Sequence, residues 1–233
     1  MEIVFNHVTR MSRAPEICIA GIDAEAFEHV RPMSATVPLT RTLLRDEGGP
    51  IGMGSLVDVG PVLPTPSPPE VEDHTFDVTR LRHLGDLDSE TFLQILDAVS
   101  KPDFLTAFGP ALERVGRTYA IEPGCGQCSL AVVRTREQPS LEVNRWGKLR
   151  FHLPDIDPTA TLAITDVRFV EDDHKTIRAD VVEDVNARLR SGVEAYLMLG
   201  VARAHRVPSD DRARHWLQLN GLVLADRPVG DRP

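Results

Sequence analysis

Aromatic residues are scarce in this chain: Phe, Trp and Tyr together make up 5% of its 233 residues. An aromatic-rich core is excluded, so the interior must be filled mainly by Val, Leu, Ile and Ala, which the 42% hydrophobic content allows. Cysteine is nearly absent as well. Three thiols, an odd number, do not make a disulfide scaffold and fit a reducing interior. No apolar run approaches the roughly 18 residues of a membrane span. The opening MEIVFNHVTR lacks a basic segment followed by an apolar one, so the expected compartment is the cytoplasm, with no membrane partner. Positive charge is in deficit too. A net charge of -9 argues against indiscriminate nucleic-acid binding, which needs a broadly positive surface, but it leaves room for a local basic groove. Finally, there is no G-x-S-x-G elbow and no phosphate-binding loop ending in Gly-Lys. No reaction and no cofactor are implied.

What is present reads as a mainly β (α+β) protein. Ile17 to Ile22 is a short apolar run after a basic turn, the pattern of a buried strand. Glu28 to Arg31 is a second strand, stopped by Pro32. This places Thr9, Arg10, Ser12 and Arg13 in a loop before one strand and Arg31 at the end of the next, so that their polar groups could converge. Ser55 to Val62 is a third strand candidate, while Pro38 to Arg45 suits either a helical turn or a strand edge. The proline-rich stretch from Pro61 to His74 is extended, unfit for a central strand, and expected to be a fixed strap. Asp88 caps an amphipathic helix through Val99, and Phe104 to Val115 continues the helical face. Strands return at Ser129 to Arg134, Ser140 to Asn144, Lys148 to Leu153 and Leu162 to Val167. Helical spacing marks Thr176 to Arg190, and Val193 to Ala202 and His215 to Leu224 are apolar strands. The implied division is 1–78, a helical connector 79–116, a second β unit 117–226 and a frayed tail 227–233.

In that order the chain resembles the dual OB-containing domain family of prokaryotes. The resemblance lies in CIAGID from Cys18 followed by VRPM from Val30, in Leu56 to Val59, and in the acidic proline strap Pro64 to Asp73. It continues through Ser129-Leu130, Lys148 to Arg150, Leu162 to Asp166 and Tyr196 to Gly200. Two departures stand out. Thr9 to Arg13 replaces an expected asparagine-serine-lysine pattern, and the closing HWLQLNGLVL is longer and more apolar. The resemblance implies two OB-like β-barrels and a nucleic-acid-binding or sensing role, often in microbial conflict or defence systems, without a reaction.

The residues suggest where such binding would occur. Arg10, Arg13 and Arg31 lie in the first half; Arg134, Arg136, Arg145, Trp146, Lys148 and Arg150 cluster in the second. OB barrels hold single strands by pairing a positive groove with flat side chains on which bases stack. The Arg145 to Arg150 hairpin supplies both, with Lys148 and Arg150 on one face. The plain alternative is a solvated hairpin whose arginines pair with Glu137 and Glu142. Cys125 and Cys128 have the spacing of half a zinc site, or of two thiols in a glycine turn. Asp166, Asp172, Asp173 and His174 could hold a divalent metal in a nuclease, or simply form a turn. The expected partner is single-stranded nucleic acid. The competing reading is a protein-interaction subunit of a larger assembly, suggested by the acidic balance and the apolar VEAYLMLGVA and HWLQLNGLVL runs; a sensor would have as a further partner a protein effector encoded nearby.

Overall fold

The computed structural model describes residues 1–135, 139–152, 158–208 and 210–229. The fold is mainly β, in two sheets. The first has seven strands in the order β5-β6-β3-β2-β1-β4-β7. These are β1 Glu2–Arg10, β2 Ile17–Asp23, β3 His29–Ser34, β4 Ser55–Asp58, β5 Val62–Pro64, β6 Asp73–Phe76 and β7 Arg82–Asp86. The second holds β8 Ser100–Lys101, β9 Glu113–Val115, β10 Thr118–Ile121, β11 Leu130–Thr135, β12 Ser140–Val143 and β13 Leu149–His152. It is completed by β14 Thr161–Ile164, β15 Ala195–Val201, β16 His205–Val207 and β17 Asp210–Leu224. Its main ladder runs β12-β13-β14-β17-β15-β11-β8. Helix α1, Ser89–Val99, follows the first sheet; α2, Phe104–Phe108, and α3, Ala179–Arg190, lie within the second half.

Several expectations need correction. Thr9 and Arg10 are not in a loop: they end β1, a strand buried on both faces that the sequence does not advertise by alternation. A bulge at Asn6, between the pairs Phe5↔Gly21 and His7↔Ala20, shifts its phase, so Ile3, Phe5 and Val8 all enter one core. Gly21 is required beside it, because a Cβ there would sit 2.4 Å from the Val4 carbonyl oxygen. Pro32 does not end β3, since pairing with β2 is already over there and the strand turns to β6 in parallel. The run from Ser55 to Val62 breaks into β4 and β5. His74, assigned to the strap, pairs inside the sheet as part of β6. The 79–116 stretch holds α1 and α2 but also β7, which extends the first sheet, and β8 and β9, which join the second. The Pro38 to Arg45 segment forms a 3-10 turn at Arg41–Leu43 flanked by isolated bridges at Thr40 and Leu44.

Each half has its own core. Ile3, Phe5, Ile19, Val30, Ile51 and Val57 fill the first. Val133, Phe151, Leu162, Leu197, Leu219 and Val185 fill the second. A third cluster lies between the halves. Val4 and Ile22 from the first sheet meet Val132, Tyr196 and Met198 from the second, and α1 inserts Phe92 and Leu96. Asp88 starts that helix by accepting from the Thr91 amide at 2.8 Å. Helix α3 covers the second core, and Asn186 bonds both ways with the backbone of Leu141 on edge strand β12.

The rest of the junction is polar. The strap returns three buried carboxylates, Glu70, Glu72 and Asp73. Glu72 accepts from the Ser129 amide at 2.8 Å, its hydroxyl at 2.7 Å and the Leu130 amide at 3.1 Å. Asp73 pairs with Arg31 at 2.6 Å and with Arg203, which also reaches Glu70 at 3.3 Å. His215 Nδ1 lies 3.1 Å from Glu70. Beside this network His7 and His29 meet edge to face, their centroids 6.0 Å apart. Burial, with the neighbouring imidazole and Arg31 adding, holds His7 well below the usual histidine range, and burial lowers His29 to about 4.

Two expectations follow. Glu72→Gln replaces one acceptor oxygen by a donor facing buried donors, and should cost about 2–4 kcal/mol in urea denaturation. An unchanged midpoint would show that the strap does not hold the halves. Because the folded histidine pKa values are depressed, the unfolded chain binds protons first. Stability should therefore be full above pH 6.5 and fall towards about pH 4, by about 3 kcal/mol for His29. His29→Gln should flatten that slope; a slope identical to the parent's would remove His29 as its cause.

Candidate nucleic-acid interface

The hairpin of β12 and β13 forms as the sequence suggests, with Ser140↔His152 and Val143↔Leu149 as its limits. Asn144 organises the tip by accepting from the amides of Trp146 at 3.0 Å and Lys148 at 2.9 Å. Gly147 takes the left-handed conformation, φ 70°, that closes the turn. The tip projects Trp146, which is 67% exposed, with the Arg145 guanidinium stacked 4.1 Å from its ring centre. The guanidinium over the ring is a cation–π contact.

Further along β13, Leu149 and Phe151 point into the second core, so Arg150 points outward. Arg10 from the first half arrives beside it. The Thr9↔Asp166 bridge and the Arg10 amide, which bonds Thr165 O at 2.8 Å, carry the end of β1 onto the second half. The Arg10 side chain bonds Ile164 O at 3.2 Å, while its Nε is buried without a partner. Burial, and then the charge of Arg150, lowers the Arg10 pKa; burial alone lowers that of Arg150. No carboxylate pairs with Arg145, Lys148 or Arg150 among the described residues. Glu142 lies 3.2 Å from His152 instead, and Glu137 and Arg136 fall outside the described residues.

Two expected contacts belong elsewhere. Arg31 does not join Arg10 and Arg13 at a surface: it is buried, and Asp73 holds it at the junction. Arg134 spends its guanidinium on Glu194, at 2.7 Å twice, and on Asp97 at 2.8 Å, which fixes α1 against β11 and β15. Arg13 is exposed, with Glu16 only loosely placed at 3.8 Å. Arg10 ends β1 and is not a loop residue, and the length of that strand brings the two halves to one place.

The remaining constellations resolve into structure. Asp166 is buried and chelates Arg168, at 3.0 and 2.7 Å, while also accepting from the Leu222 amide. Asp172 pairs with Arg41 at 2.9 Å. Asp173 caps a turn through Thr176, whose hydroxyl and amide hold its carboxyl at about 2. His174 contacts Met11 O at 3.3 Å. Among the described residues no three His, Cys, Asp or Glu side chains gather as metal ligands. Cys125 is exposed, whereas the half-buried Cys128 contacts Ala107 O and burial pushes its thiol up to about 12, the opposite of an activated thiol. The apolar VEAYLMLGVA and HWLQLNGLVL runs are interior, as β15 and most of β17, so they offer no docking face. No helix among the described residues is long and apolar enough to cross a membrane.

No curated protein and no solved structure matches the chain. One family does, over residues 1–221 and thus across both sheets, the strap, β1 and the β12–β13 hairpin. The chain belongs to the dual OB-containing domain family.

Proposed function

We propose that each half is an OB-like barrel and that the chain is a non-catalytic module that binds or senses single-stranded nucleic acid, as part of a prokaryotic conflict or defence system. The observation that carries this reading is the pair Arg10 and Arg150. Among the described residues no acid pairs with either guanidinium, and repulsion from Arg150 adds to burial, the larger cause, in lowering the Arg10 pKa. An anionic backbone bound across them relieves that repulsion. Arg145, Trp146 and Lys148 extend the site, and Trp146 stacks a base. Arg13 lies at the margin. Because the rest of the surface is acidic, affinity is local and depends on few phosphates. The buried β15 and β17 take away the main support for a protein-interaction subunit.

Labelled single-stranded RNA and DNA, titrated by anisotropy at two salt concentrations, check the proposal. Binding should weaken with salt. Trp146→Ala should cost about 1–3 kcal/mol, and Arg150→Gln should reduce the slope of log K against log salt by about 0.7. Absence of binding at low salt ends the reading.

A further inference from the structure

A cavity of about 430 Å³, mouth included, opens where the halves meet beneath the end of β1. Its floor is apolar, from Val8, Leu44, Ile51, Met53 and Val167. Four arginines line it, Arg41 and Arg45 from the first half and Arg168 and Arg178 from the second, against one lining carboxylate, Asp46. Arg168 is committed to Asp166 and to the Leu222 carbonyl, at 2.7 Å each. The other three are not held so firmly. Arg41 is buried, yet its carboxylates sit on exposed loops: Asp172 at 2.9 Å, Asp46 at 3.5 Å and Glu47 at 3.8 Å. Its Nε has no hydrogen-bond partner. Arg45 and Arg178 contact exposed Asp86 and Glu171 at 3.3 Å each.

We propose that this cavity binds a phosphoryl group. The inner space suits about three waters, the size of one tetrahedral oxyanion and too small for a sugar and base. Whatever carries the group projects through the mouth. Exposed ion pairs contribute little, so releasing Asp86 or Glu171 costs little; at the buried Arg41 a phosphoryl group displaces Asp172, Asp46 and Glu47. Bidentate arginine–phosphate bonds are short and charge-assisted, and the buried Arg41 fork with its unused N–H offers one. The apolar floor keeps water from competing. Because the cavity is lined from both halves, its occupant favours their docked arrangement.

The phosphoryl group has two sources: a free small phosphate, or the 5′ end of a strand. Thermal unfolding of the full chain with inorganic phosphate, against chloride at equal ionic strength, tests the site. Phosphate should raise Tm in a saturable way, and the Arg45→Gln, Arg178→Gln double variant should lower phosphate affinity about tenfold. Arg41→Lys keeps the charge but loses the fork; it should lower affinity similarly and serves if the double variant does not fold. Trp146→Ala should leave phosphate affinity unchanged, which separates this cavity from the hairpin. A 5′-phosphorylated oligonucleotide that outcompetes its 5′-hydroxyl twin names a strand end as the source; equal competition alongside phosphate binding names a small phosphate. A phosphate shift no larger than that of chloride, or wild-type affinity in both variants, overturns the assignment.

Discussion

The contact on which the molecule depends is the buried carboxylate of Glu72 against the start of β11. Three donors converge on it, two amides and a hydroxyl, and all lie across the junction from the strap that carries it. A lone carboxylate in such a place would be strongly disfavoured, and so would the unpaired amides. Together they satisfy one another only in one relative position of the halves. Asp73 and Glu70 repeat the arrangement with Arg203 and His215, while Arg31 pairs with Asp73 inside the first sheet. An apolar junction alone could slide; this one has a register. The third hydrophobic cluster supplies area, and the carboxylates supply position.

That division decides which cations remain outside. The chain has more acids than bases, and the junction and the helix contacts consume arginines that composition alone would count as surface charge. Arg31, Arg134 and Arg168 are each bound by buried or half-buried carboxylates, with their donors turned inward. Among the described residues Arg145, Lys148 and Arg150 on one hairpin have no carboxylate partner, and the charge of Arg150 acts on Arg10. On an anionic body a small positive area acts over a short range, since screening suppresses longer reach. In the proposed function such a surface selects by shape and stacking more than by charge.

The legible parts of the sequence were those with local rules. Asp88 announced α1, helical spacing announced α3, Gly147 announced the hairpin turn, and β15 declared itself as a continuous apolar run. β1 was hidden because both its faces are covered and its bulge at Asn6 breaks the period on which strand recognition relies. β7 was hidden by its exposed, charged composition, since an edge strand has only one face to bury. The roles of the arginines were the least legible. Arg31 and Arg10 look alike in sequence, and what separates them is a partner 42 residues away for one and a backbone carbonyl 154 residues away for the other. The first follows from the pairing of β3 with β6 inside one sheet and the second from the docking of the halves, and no local pattern encodes either. The family resemblance carried the order of the elements but was silent on which cations were free.

The surface and the junction are therefore one problem. Arg10 reaches Arg150 because β1 runs past its own sheet and bonds residue 165 of the second half. Had the halves docked a few ångströms differently, the two guanidiniums would be separate and each would find solvent or an acid. Their closeness is unfavourable by itself, so something must hold it, and the Ser129 and Leu130 donors on Glu72, with Arg203 reaching Asp73 and Glu70, are polar contacts across that boundary. In the proposed function an anion that joins Arg10 to Arg150 offsets their repulsion. On that proposal ligand and docking are coupled: whatever bridges the arginines also stabilises the arrangement of the two halves, and whatever loosens the strap weakens the bridge.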